Sequence, residues 1–300
     1  MAHDHSHHHH GHHHHHGSGN IKVAFFLNLG FTIIEIVGGI LTNSIAILSD
    51  ALHDLGDSLS LGLSWYFQNL SGKGRDKTFS YGYKRFSLLG AIINSIILFS
   101  GSIFIIYEAI PRIFNPEQPE TKGMIGLAVV GILINGAAVL RLRKGSSLNE
   151  EVVSLHLLED VLGWVAVLIG AIVMHFVDAP IIDPLLSLGI SAFILFNVFK
   201  NLKKSFTIIL QGTPRHLEID KIKAKIEELP DINEVHDCHL WTLDGEYNIF
   251  SAHLVVNSSK SIEELADIKS KVRSLLDELH VNHATLEFET VQEPCALEHC

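Results

Sequence analysis

Apolar residues come in long runs over the first two thirds of the chain and in short alternations over the last third. Phe86 to Tyr107 is a run of 22 residues without a charge, about 33 Å of helix against a hydrocarbon core of about 30 Å. It predicts a membrane span. Gly123 to Leu140 and Leu185 to Phe199, extended by apolar flanks, predict two more. Ile21 to Leu41 is apolar except for Lys22 and Glu35, Ile45 to Phe67 carries Asp50, His53, Asp54 and Asp57, and Val152 to Val177 carries His156, Glu159 and Asp160 before a clean apolar run. An ionisable group inside a bilayer costs about 2.5 to 3.5 kcal/mol on insertion scales. These three segments therefore read as spans with a polar face whose cost something must offset, and the total is six.

From Gly212 the pattern changes. His216 to Leu229 reads as an amphipathic helix, and Glu234 to Leu243 and Glu246 to Val256 alternate like strands around an Asp244-Gly245 turn signal. Ser261 to His280 is a helix opened by a capping-box pair, Ser261 and Glu264, and His283 to Glu289 is a third strand. An αββαβ order predicts a small two-layer α+β domain of ferredoxin-like type. The chain divides into a histidine-rich tail over residues 1–19, a six-helix transmembrane domain over 20–211, an α+β domain over 212–290 and a Cys/His-containing tail over 291–300.

Composition agrees with a membrane protein: 47% of the 300 residues are hydrophobic and 18% charged. The net charge is −11, and no basic patch marks a nucleic-acid partner. Lys73, Arg75, Lys77, Lys84 and Arg85 precede the third span, Arg141, Arg143 and Lys144 follow the fourth, and Lys200, Lys203 and Lys204 follow the sixth, whereas the alternate loops carry only Arg112 and Lys122. This asymmetry predicts both termini in the cytoplasm. Three cysteines in the cytoplasmic third argue against a disulfide framework.

Asp50, His53, Asp54 and Asp57 fall at i, i+3, i+4 and i+7, one stripe of a helix, and His156 and Asp160 are again four apart. His53 and Asp57 lie roughly 15 to 21 Å from Asn43, and His156 and Asp160 roughly 18 to 24 Å from Lys144, so the two pairs can meet within about a turn. Two imidazoles and two carboxylates complete a tetrahedron for zinc, and the ion's charge balances the buried carboxylates. The bland alternative is a set of hydrogen-bonding groups that hold the bundle together; duplication of the His-x-x-x-Asp pair favours metal. Asp50 and Asp54 are accessory candidates. Histidine and carboxylate ligands hold zinc less tightly than thiolates, which suits a carrier, and imidazole must be neutral to bind metal, so metal and proton compete at the same nitrogens. A membrane-embedded sensor or buffer without turnover is the alternative function. A metalloprotease would want His-Glu-x-x-His, which is absent, so no enzyme is expected.

Ser49-Asp50-Ala51, the run Tyr81 to Phe86, Asn115-Pro116-Glu117, Asn135, Asp183-Pro184 and Gln211-Gly212-Thr213-Pro214 stand in order beside the two His-x-x-x-Asp pairs. With them the chain, from Ile21 to Glu289, resembles the cation diffusion facilitator family, the zinc-type, CzcD-like branch in particular. The resemblance implies a metal/proton antiporter that exports Zn2+, or Cd2+ or Co2+, by alternating access. It implies a homodimer in the lipid bilayer of the plasma membrane, with a metallochaperone-like cytoplasmic domain. It assigns His53, Asp57, His156 and Asp160 to the transport site, and His236, His253, His283 and Glu287 to a metal site of the cytoplasmic domain, where Glu289 is a further candidate. Strand periodicity points His236 and Cys238 to one face and Asp237 and His239 to the other, making Cys238 and His239 accessory candidates. Cys295 and Cys300, spaced more widely than a Cys-x-x-Cys pair, are candidates in the tail. Eleven of the 21 histidines lie in residues 1–16; their irregular start favours a native segment over a tag, one that collects cytoplasmic metal.

Overall fold

The computed structural model describes the backbone of residues 18–142, 148–257 and 259–293; within these, side chains 18–25, 27, 61, 64, 65, 68, 141, 142 and 148–156 are not described. Six long helices come first: α1 (Ser18–Thr42), α2 (Ile45–Ser71), α3 (Phe86–Phe114), α4 (Thr121–Leu142), α5 (Leu148–Phe176) and α6 (Ile182–Ile209). Among the described residues, four have the length and apolar composition to cross a membrane, over residues 86–114, 121–140, 157–176 and 182–209. α1 and α2 have 25 and 27 residues, long enough by rise alone. In α2 the carboxylates Asp50, Asp54 and Asp57 interrupt the apolar composition, which is where the sequence places its polar stripe.

The chain divides into two compact units, residues 1–62 with 96–196, and residues 63–95 with 197–300. In the first, Phe31, Ala46, Ile47, Met124, Ala128, Trp164, Val167, Ala171 and Met174 form a buried core. Small residues set the helix approach. A Cβ on Gly131 of α4 would stand 2.5 Å from the Trp164 ring of α5, so only glycine leaves room for the indole. Phe99, Phe104, Tyr107, Phe196 and Phe199 point outward and exposed, as lipid-facing side chains do.

In the second unit, α7 (Ile219–Glu227), β1 (Ile232–Thr242), β2 (Asn248–Val256), α8 (Ile262–Glu278) and β3 (His283–Thr290) follow the predicted αββαβ order. The sheet order is β1-β2-β3, with β1 and β2 antiparallel and β2 and β3 parallel across the α8 crossover. Ile222 and Ile226 of α7 and Ile268, Val272 and Leu276 of α8 pack on Val235, Leu240, Phe250, Ala252 and Leu254. One sheet face is thus covered by helices, and the other carries the polar residues. The capping box forms as predicted, with Ser261 Oγ accepting from the Glu264 amide and Glu264 accepting from the Ser261 amide. The β1–β2 connection is wider than a two-residue turn: Asp244 Oδ1 accepts from the amides of Glu246 and Tyr247, and Gly245 takes φ 101°, a conformation open to glycine.

β1 departs from simple alternation. Its register with β2 slips between His236 and His239, and Asp237, with φ 49°, is the extra residue of a β-bulge. Cys238 consequently turns to the helix-covered side and packs on the core, while His236 stays on the polar face. The expectation that His236 and Cys238 share a face is therefore corrected. A one-residue insertion flips everything that follows it.

Candidate metal centres

α2 and α5 supply the first centre, in the first compact unit. His53 and Asp57 are one helical turn apart on α2, and Nε2 of His53 lies 3.7 Å from Asp57 Oδ2 and 3.8 Å from Asp160 Oδ1 on α5. The three donor atoms lie within 4.8 Å of one another. Ligands at 2.0 to 2.2 Å around a tetrahedral zinc stand roughly 3.3 to 3.6 Å apart, so these spacings are close to those the ion requires. His53 and Asp160 line a cavity of about 500 Å³ whose other walls are Leu162, Gly163 and Ala166 of α5 and Leu185, Leu186, Gly189, Ile190, Phe193 and Ile194 of α6, with Asp50 and Glu159 beside them. The walls are apolar apart from these acids and the histidine. His156 belongs to α5 one turn before Asp160, and its side chain lies outside the described residues.

The axial position of α2 is set by a buried cap from another helix. Asp183, 2% exposed at the start of α6, accepts from Ser44 Oγ at 2.5 Å, from the Ile45 amide at 2.8 Å and from the Ala46 amide at 3.4 Å. The first amides of α2 are thereby satisfied, and the helix that carries His53 and Asp57 is tied to the helix that forms the far cavity wall. The Asp183-Pro184 signal was visible in the sequence, but its partner on α2 was not. Asp54 points elsewhere: its carboxyl is buried and faces Glu35 of α1, while its backbone carbonyl accepts from Asn28 Nδ2.

The second centre lies on the polar face of the sheet. Glu289 of β3 bridges two imidazoles, with Oε1 2.7 Å from His253 Nδ1 and Oε2 3.1 Å from His236 Nε2. These three donors also lie within 4.8 Å of one another. Glu287 Oε2 and Asp237 Oδ2 stand 3.6 and 3.5 Å from the other nitrogen of His253, and Asp237 Oδ1 holds His239 Nε2 at 3.0 Å. Strand alternation alone puts Asp237 on the opposite face from His236; the bulge, a tertiary feature, turns it toward His253. His283 stands apart from the group; its ring meets Tyr81 edge-on at 5.5 Å. Burial pushes the Cys238 thiol up to about 11, so the sulfur is a protonated core atom rather than a ready thiolate. Cys295 and Cys300 lie outside the described residues.

Comparison with known proteins bears on both units. Residues 21–210 match the cation efflux transmembrane domain, and residues 214–291 match the cytoplasmic domain of cation efflux proteins. The cadmium, cobalt and zinc/H(+)-K(+) antiporter of Bacillus subtilis is 34% identical over 90% of this chain and 88% of its own length. The metal cation efflux system protein CzcD of Cupriavidus metallidurans is 33% identical over 92% of this chain and 87% of its own. The zinc transporter ZitB of Escherichia coli is 32% identical over 98% of this chain and 94% of its own. A polar helix pair inside an apolar bundle, joined to an αββαβ domain and matched along nearly its whole length, leaves one assignment: the chain is a multi-pass membrane protein that belongs to the cation efflux family.

Proposed function

We propose that this protein exports a divalent transition metal from the cytoplasm, with zinc as the principal substrate and cadmium and cobalt as alternatives. The observation that carries the reading is the convergence of His53, Asp57 and Asp160 at near-ligand spacing, with His53 and Asp160 on the wall of a cavity within apolar helices. His156, paired with Asp160 in the sequence, is the fourth ligand. A carrier must release its ion. Carboxylate and imidazole donors hold zinc less tightly than thiolates, and protonation of the imidazoles expels it. Zinc outward and protons inward therefore exchange at the same atoms, and the antiporter and zinc-transporter names of the relatives support this reading.

The protein works as a homodimer in the plasma membrane with both termini in the cytoplasm, in keeping with the basic loops and with the cytoplasmic-domain match. The His236, His253 and Glu289 group holds a second zinc on the cytoplasmic side. A sensor or buffer without turnover is disfavoured, because the relatives carry efflux and transporter names. Zinc uptake into proteoliposomes tests the proposal. Wild-type protein should move zinc and respond to a pH gradient, and Asp57→Ala and Asp160→Ala should reduce the flux at least 100-fold while the variants elute in detergent like wild type. Flux in both variants at the wild-type rate would refute it.

A further inference from the structure

Three more carboxyl groups, those of Glu35, Asp50 and Asp54, are buried in the bundle outside the group above. Asp50 is 5% exposed and Glu35 is completely buried. Asp50 Oδ2 has no hydrogen-bond partner among the described residues, and the Glu35 carboxyl meets that of Asp54. Asp50 lies on the wall of the same cavity as His53 and Asp160. Its Oδ1 is 3.5 Å from the place a Cβ on Gly163 would occupy, so α5 presents no side chain against it there. The acidic neighbours of Glu35 are Asp54, Asp50 and Asp160.

Buried carboxylates without donors are costly unless positive charge reaches them. One divalent ion among the four transport-site residues balances Asp57 and Asp160 and leaves nothing for Asp50 or Glu35. Asp50 is also displaced along the helix: three residues separate it from His53, about 4.5 Å along α2 toward the Ser44 end. An ion held by His53, Asp57 and Asp160 is therefore centred away from Asp50, toward the other end of α2.

The geometry points to Asp50 as a second cation-binding position in the same cavity, an oxygen-donor stop that takes the divalent ion after the histidine-containing group, with Glu35 as an acidic neighbour. The inference rests on the transport reading above. Carboxylate oxygens alone hold zinc less firmly than a set that includes imidazole, so the ion passes through this position rather than resting in it. Asp50 then governs how fast zinc leaves and contributes little to how tightly it is first bound.

Zinc flux measured against zinc concentration in proteoliposomes separates these effects. Asp50→Asn, which keeps the shape and removes the charge, should lower the maximal flux at least 10-fold with the half-saturating zinc concentration within 2-fold of wild type. Glu35→Gln should lower maximal flux by about 3-fold in the same pattern. Maximal flux within 2-fold of wild type in Asp50→Asn would overturn the assignment. So would a half-saturating concentration raised 10-fold with maximal flux retained, which would put Asp50 in the same ligand shell as His53. Asp57→Ala run beside them keeps the two claims apart: if it loses flux while Asp50→Asn does not, only the second position fails, and if it transports normally the transport site itself is wrong.

Discussion

The two centres use the same residue types on different scaffolds. On α2 and α5 the donors stand 3.7 and 3.8 Å apart, two of them on a cavity wall. On the sheet, Glu289 already touches both histidines at 2.7 and 3.1 Å. The first is an open cage with spacing near that of zinc ligands, and the second is a closed set of imidazole–carboxylate contacts that a metal has to part before it enters. The helical centre is therefore suited to loading and unloading an ion, and the sheet centre to holding one at the cost of its internal contacts. Helix periodicity brings i and i+4 together without help, whereas the sheet group needs a bulge and two strand pairings to assemble.

The largest effect that separates the centres is a change of donor on α2. His53→Asp converts the helical group to more oxygen donors, so zinc flux should fall more than 10-fold and the ratio of zinc to manganese flux should narrow. Competition flux with both metals checks it, and an unchanged ratio would mean that His53 does not meet the ion. Glu289→Gln on the sheet should lower the affinity of the cytoplasmic centre at least 10-fold, measured by titration with a zinc indicator, while flux at saturating zinc stays within about 3-fold of wild type. Equal losses of flux from His53→Asp and Glu289→Gln would erase the distinction between carrying and holding.

Smaller effects test what positions each centre. Gly131→Val in α4 drives a side chain into the Trp164 ring of α5 and should destabilise the bundle by about 1 to 3 kcal/mol, seen as a lower unfolding temperature in detergent. Asp237→Val puts a β-branched residue at φ 49° and should cost about 1 to 2 kcal/mol, whereas Asp237→Asn, tolerant of that region, should leave the unfolding temperature nearly unchanged. The smallest effect is on pH. The hydrogen bond from Lys260 holds the Asp231 carboxyl below its ordinary 3.8, and the backbone amide of Ser261 holds Glu264 below 4.5. Both groups then stabilise the cytoplasmic domain above those values and lose that contribution as the pH falls through their lowered pKa values. Unfolding of the Lys260→Ala variant should show a weaker acid dependence than wild type below about pH 4.

Much of this was legible in the sequence because it follows from periodicity. Residues 86–107 without a charge can be little but a span, His53 and Asp57 must share a helix face, and Ser261 with Glu264 announces the start of α8. The remainder depends on contacts between distant segments. Nothing near Asp237 signals a bulge, because the extra residue is accommodated only when β1 pairs with β2, and that one insertion moved Cys238 into the core and Asp237 toward His253. Glu35 was visible as an acid inside an apolar run, but its acidic neighbours come from other helices. His283 lies at the start of β3 with its ring against Tyr81, outside the group of His236, His253 and Glu289.

Anomalous scattering from zinc in the full-length protein tests the central claim most directly. The account predicts a zinc peak between α2 and α5 with His53 Nε2 and a carboxylate oxygen each of Asp57 and Asp160 at about 2.0 to 2.2 Å. Zinc found only on the cytoplasmic sheet and the histidine tail, with the space beside His53 empty at saturating metal, would contradict it.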